Sequence, residues 1–134
     1  MLWKKSYEAG HETVDAQHKE LFRLVQDVLD ADSIGGRKEK IEVALKFLGD
    51  YAVRHFELEE SLMVESNYPE YESHKQIHET FLKDVTSFVA KFQEEGSTVS
   101  VSQTINDFVI TWLQEHIMGS DKKMAEFYKK FKGA

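Results

Sequence analysis

Apolar residues recur along this chain at alternating intervals of four and three, in four stretches. The first is Val14, His18, Leu21, Val25, Val28, and the second Ile41, Leu45, Leu48, Ala52, His55, Glu59, Leu62. The third is His74, His78, Phe81, Val85, Phe88, Phe92, and the fourth Ile105, Val109, Trp112, His116. That spacing marks one face of an α-helix and repeats as helices do in bundles. The first helix is expected to start near Thr13, as N-cap, with Asp15 in its first turn, and to stop between Ala31 and Gly36. The second runs from about Lys38 to Glu65 and is stopped by Ser66-Asn-Tyr-Pro69. The third follows Pro69, a residue suited to a helix start, and ends between Glu94 and Ser97. The fourth begins near Ser100, with Gln103 placed for a capping box, and a short helical tail from about Lys122 to Phe131 closes the chain. Residues 1–12 read as an irregular arm whose Trp3 and Tyr7 cover one end of a core.

Four amphipathic helices with short connections favour an all-α, antiparallel up-down-up-down four-helix bundle, here with an N-terminal arm and a short C-terminal helix. The 134 residues are expected to form a single domain, and 41% hydrophobic content is enough for a core. With no Cys, disulfides, thiolate zinc sites, iron–sulfur clusters and thiol chemistry are all excluded. No apolar run reaches membrane-spanning length, and Met1-Leu-Trp-Lys-Lys-Ser has no signal-peptide core, so membrane insertion is not expected and the cytoplasm is the expected location. A net charge of −7 argues against a nucleic-acid partner.

The polar residues on the seams change the picture. His18 lies near the start of the first helix, and His55 and Glu59 near the end of the second. His74 and His78 lie near the start of the third, and His116 near the end of the fourth. In an antiparallel bundle those four helix ends share one end of the molecule, so all six side chains converge. His55 and Glu59, like His74 and His78, are four apart and share a helix face. A buried polar group without a partner costs on the order of 1–3 kcal/mol, and an unpaired charge more. Metal coordination compensates that cost, and imidazole with carboxylate suits first-row transition metals. A further anionic ligand is needed for two ions, and Asp121 is the candidate. It lies five residues beyond His116, about 140° too far round an ideal helix, so a distortion near Gly119 is required to turn it inward. His11, Glu57, Glu60 and Glu115 fall off the seams and are expected in solvent or outside the ligand set.

The motifs Asp15-Ala-Gln-His18, His55-Phe-Glu-Leu-Glu59, His74-x-x-x-His78 and His116-Ile-Met-Gly-Ser-Asp121 resemble those of the hemerythrin family, specifically its single-domain bacterial members. The resemblance spans residues from about 10 to 125 and departs from the family at no ligand position. It implies a non-haem di-iron centre. His74, His78 and His116 would hold one iron and His18 and His55 the other. Glu59 and Asp121 would bridge them, together with an oxo or hydroxo group, and dioxygen would be the ligand of the two-His iron. The same resemblance places Trp112, Leu113 and Ile117 around the dioxygen pocket. The implied function is reversible dioxygen binding for carriage, storage or delivery to an oxygen-using or redox protein, without enzymatic turnover. The alternatives are a di-iron enzyme acting on dioxygen, peroxide or nitric oxide, and an oxygen or iron sensor. Five His with two carboxylates make a less anionic set than that of carboxylate-rich di-iron bundles, which favours holding dioxygen over oxidising with it.

Overall fold

A computed structural model describes residues 2–33, 38–95 and 101–133. A 3-10 turn at Lys5–Tyr7 precedes helices α1 (Glu12–Ser33), α2 (Lys38–Ser66) and α3 (Tyr71–Glu95). The fourth helical run, residues 101–133, is unbroken. It comprises α4 (Val101–Thr104), a π segment (Ile105–Ile110), α5 (Thr111–His116), a second π segment (Ile117–Asp121) and α6 (Lys122–Gly133). The expected C-terminal helix is therefore joined to the fourth helix, with helical dihedrals at His116 (φ −66°, ψ −45°) and at Lys122 (φ −62°, ψ −41°). The expected start at Ser100 and the expected stops at Gly36 and Ser97 lie outside the described residues.

The helices run antiparallel. Lys38 at the start of α2 donates to the carbonyl of Gln93 at the end of α3. Lys122 at the start of α6 donates to the Ser6 carbonyl before α1, 2.7 Å away. Every seam residue expected on α1 and α2 is buried. On α3, Val85 and Phe88 are only half-buried. In the fourth run the buried line passes through Leu113, and Trp112, expected on the seam, is half-buried beside it. The π segment Ile105–Ile110 causes this change, because each i→i+5 turn takes up one extra residue.

Local chemistry sets the helix ends. His11, not Thr13, caps α1: its Nδ1 accepts from the Val14 N–H at 3.2 Å. Asp15 reaches back to the Ala9 N–H at 2.7 Å and the Gly10 N–H at 3.3 Å. Gly10 turns the chain there with φ +93°, a conformation that glycine adopts without strain. Tyr7 is buried and stacks on Phe22 at 5.6 Å, while Trp3 packs half-buried against the core under Lys19. At the end of α2 the Asn67 N–H bonds the Val64 carbonyl, the Tyr68 N–H bonds the Met63 carbonyl, and Asn67 is left-handed at φ 56°. This is a Schellman stop, with Tyr68 and Met63 in apolar contact as the motif favours. Pro69 sits in the turn that follows, two residues ahead of α3.

Two apolar clusters form the core. The larger contains Leu21, Ala52, Phe56, Phe81 and Leu113; the smaller contains Val14, Leu62, Met63, Met124 and Tyr128. Between them the same helices present a layer of buried imidazoles and carboxylates.

Candidate metal centre

That layer holds His18, His55, Glu59, His74, His78, His116 and Asp121, none more than 5% exposed. Leu21, Phe81, Ala52 and Leu113 stand three residues from His18, His78, His55 and His116 and wall off one side. Val14, Leu62 and Met124 wall off the other.

All five imidazoles turn Nε2 inward. The ligand atoms form two groups, each within 4.8 Å: Glu59, His74, His78, His116 and Asp121 in one, His18, His55, Glu59 and Asp121 in the other. Each carboxylate divides its oxygens between them. Glu59 Oε1 lies 3.1 Å from His78 Nε2 and 3.7 Å from His74 Nε2, while its Oε2 lies 3.2 Å from His55 Nε2 and 3.5 Å from His18 Nε2. Asp121 Oδ1 lies 2.9 Å from His116 Nε2 and 3.2 Å from His74 Nε2, and its Oδ2 lies 2.9 Å from His18 Nε2.

The donor set fits metal ions. Nε2 of His116 is 3.2 Å from that of His74 and 3.0 Å from that of His78. Two nitrogens bound at about 2.1 Å and at right angles around one ion stand about 3 Å apart. Both oxygens of Glu59, both of Asp121 and Nε2 of His18 and His55 are buried with no hydrogen-bond partner, although the opposing atoms are close. Buried polar atoms are almost always hydrogen-bonded, so this concentration needs a further ligand to explain it.

Asp121 enters the layer through the π segment Ile117–Asp121. Its i→i+5 turn brings residues five apart onto one face. Gly119 is exposed and a Cβ there would meet nothing within 4 Å, so the distortion does not need glycine for space.

Burial opposes charge on His18 and His116, but the Asp121 and Glu59 carboxylates more than reverse it, and both imidazoles are pushed up to about 9. His74 is raised for the same reasons. Burial would raise the Glu59 and Asp121 carboxyls, yet the facing imidazoles hold both well below the usual carboxylate range.

The structure also uses residues that the periodicity leaves aside. Gln17 Oε1 is 2.7 Å from His55 Nδ1. Glu60, expected in solvent, is half-buried and holds Oε2 3.0 Å from His78 Nδ1. Glu57 and Glu115 are exposed as expected. Gln17 adjoins His18, and Glu60 adjoins Glu59, so proximity to a ligand in sequence was their only signal. Of the expected pocket residues, Leu113 and Ile117 are buried, and Trp112 stacks on His116 at 4.4 Å and on Phe81 at 3.8 Å. Phe56 stacks on His78 at 3.9 Å, so two of the rings are also held by aromatic neighbours.

Residues 9–128 match the model of the hemerythrin HHE cation binding domain. The chain belongs to the hemerythrin family. It is 30% identical over 125 residues to a bacteriohemerythrin of Clostridium acetobutylicum, covering 91% of this chain and 96% of that one. It is 34% identical over 121 residues to a hemerythrin-like protein of Naegleria gruberi, covering 90% and 87%. A crystal structure of wild-type hemerythrin superposes with a TM-score of 0.83 at 29% identity, over 94% of this chain and 95% of the other. As a hemerythrin-family member, the chain combines that fold with a buried His/Glu/Asp cluster able to bind metal. No described helix is long and apolar enough to cross a membrane.

Proposed function

We propose that this hemerythrin-family chain binds dioxygen reversibly at a di-iron centre, and that it carries, stores or delivers dioxygen rather than turning over a substrate. The division of both Glu59 and Asp121 between a three-His and a two-His group carries the reading. His74, His78 and His116 would hold one iron, His18 and His55 the other, with both carboxylates spanning the pair. The smaller ligand set leaves room for an exchangeable ligand. When bound, two iron ions with an oxo or hydroxo bridge supply the electron exchange that dioxygen uptake and release require.

The chain's own residues hold the ions and keep water away. A small apolar cavity of about 20 Å³ is lined among others by Leu21, Ala52, Phe56, Phe81 and Leu113, from the apolar cluster that walls off one side of the centre. Such a lining supports reversible binding because it offers no proton donor and stays dry. Trp112 and Ile117 do not line that cavity: Trp112 stacks on His116, and Ile117 is the buried residue that follows it.

The test is spectroscopic. Anaerobically reduced, iron-loaded protein should develop a visible charge-transfer band on adding dioxygen and lose it on deoxygenation, with two irons per chain by metal analysis. Irreversible oxidation without a reversible band would sink the carrier reading, and a single metal ion per chain would sink the di-iron one.

A further inference from the structure

With Nε2 turned to the centre, each imidazole directs Nδ1 outward, and the groups behind these nitrogens differ in charge. His78, in the three-His group, faces the Glu60 carboxylate at 3.0 Å. His55, in the two-His group, faces the neutral amide oxygen of Gln17 at 2.7 Å. His18, the other imidazole of that group, has a buried Nδ1 with no hydrogen-bond partner. Glu60 projects from α2 and Gln17 from α1, so the two halves of the centre are backed from different helices.

An acceptor behind a metal-binding imidazole fixes the ring and strengthens its inward nitrogen as a donor, and an ionised acceptor does so more than an amide. We propose that Glu60 is a positioning residue that makes the three-His half the tighter of two metal sites, and that the neutral Gln17 keeps the two-His half the weaker. Metal then loads in order, the three-His half first. The chain holds one ion firmly while the other half, the one read as taking dioxygen, stays the more labile. This inference rests on the two-metal reading.

Cobalt(II) titration of the metal-free protein under argon, followed by calorimetry and d–d absorption, tests it without dioxygen chemistry. Wild-type protein should take up two Co²⁺ per chain in separate steps. Glu60→Gln retains an acceptor oxygen and the side-chain shape but removes the charge. It should weaken the first step about 10–100-fold and leave the second in place. Gln17→Glu should strengthen the second step about tenfold or more and narrow the gap. Thermal melts of the metal-free variants check that both fold.

A purely orienting role for Glu60 predicts an unchanged first step in Glu60→Gln, and that result would overturn the proposal. So would a loss confined to the second step, or a Gln17→Glu variant whose second step is no tighter. Uptake of only one Co²⁺ by the wild type would overturn the two-metal reading itself, and the loading order with it.

Discussion

Glu59 and Asp121, the proposed bridges, have two separable roles at the residue scale. In the metal-free chain Asp121 is a buried anion 2.9 Å from both His18 and His116, whose imidazoles it helps to keep charged. Removing one partner of a buried ion pair costs about 3–5 kcal/mol, since it strands the other charge. Asp121→Asn should therefore destabilise the metal-free protein by about that amount in urea unfolding at neutral pH. It should also cut metal uptake from two ions to one or none, because an amide cannot supply the second anionic oxygen. Uptake of two tightly held ions by this variant would argue against bridging. Leu113 separates packing from function differently. It is buried against the same cavity as Phe56 and Phe81. Leu113→Tyr would bring a hydroxyl, and a proton, into that dry wall. Faster autoxidation of the iron-loaded protein is expected, by several-fold in the decay of the dioxygen-dependent band. An unchanged decay would reduce Leu113 to core packing.

At the scale of the element, the π segment Ile117–Asp121 carries Asp121 onto the face of His116 despite their five-residue separation. Its extra residue is absorbed within one turn, so α6 continues in line and still buries Met124 and Tyr128. Deleting the exposed Gly119 should turn this segment into ordinary α-helix. His116 and the carboxylate would then be four apart and still on one face, and α6 would keep its register. Such a variant should fold, with a melting temperature at or above that of the parent, and should retain two-metal uptake. Inserting one alanine after Gly119 should instead rotate the carboxylate and all of α6 by about 100°. Metal uptake should fall, and the melting temperature with it. Equal behaviour of the two variants would show that the π turn does not set the position of Asp121.

The same element marks how far the sequence could be read. Alternating spacings of four and three located all four helices and brought His18, His55, Glu59, His74, His78 and His116 to one level, because ideal helical geometry relates sequence separation to angle. Asp121 is out of phase with that pattern, and its inward turn requires a distortion whose form periodicity cannot specify. The periodicity puts Trp112 on the seam while the buried line runs through Leu113, for the same reason upstream: the π segment Ile105–Ile110 shifts the phase by a residue. The His11 cap and the contacts of Gln17 and Glu60 depend on which way a side chain leans across to a neighbouring element, and that depends on packing.

For the whole molecule, the polar layer should make folding depend on pH differently with and without metal. Without metal, His18 and His116 titrate near 9 in the folded state against an ordinary value of 6.5. A raised imidazole pKa contributes stability that is fully present below the unfolded value and is lost as pH rises through the folded one. Glu59 and Asp121 are depressed, so their contribution is present above the ordinary carboxylate range and is lost as pH falls below it. Metal-free protein should be most stable between about pH 5 and 6.5 and should lose stability steadily toward pH 9. Metal binding requires the same imidazoles to be neutral, so each ion must displace protons and its apparent affinity rises with pH over that interval. Metal-loaded and metal-free melting temperatures should therefore lie close together at pH 5.5 and diverge progressively up to pH 9, with protons released on metal addition at pH 7. Melting curves with and without Co²⁺ across that range, together with pH-stat titration, measure both quantities. Parallel pH dependences of the two forms, or metal uptake without proton release, would mean that the imidazoles of the metal-free layer are already neutral. The buried carboxylates would then require another explanation for their stability.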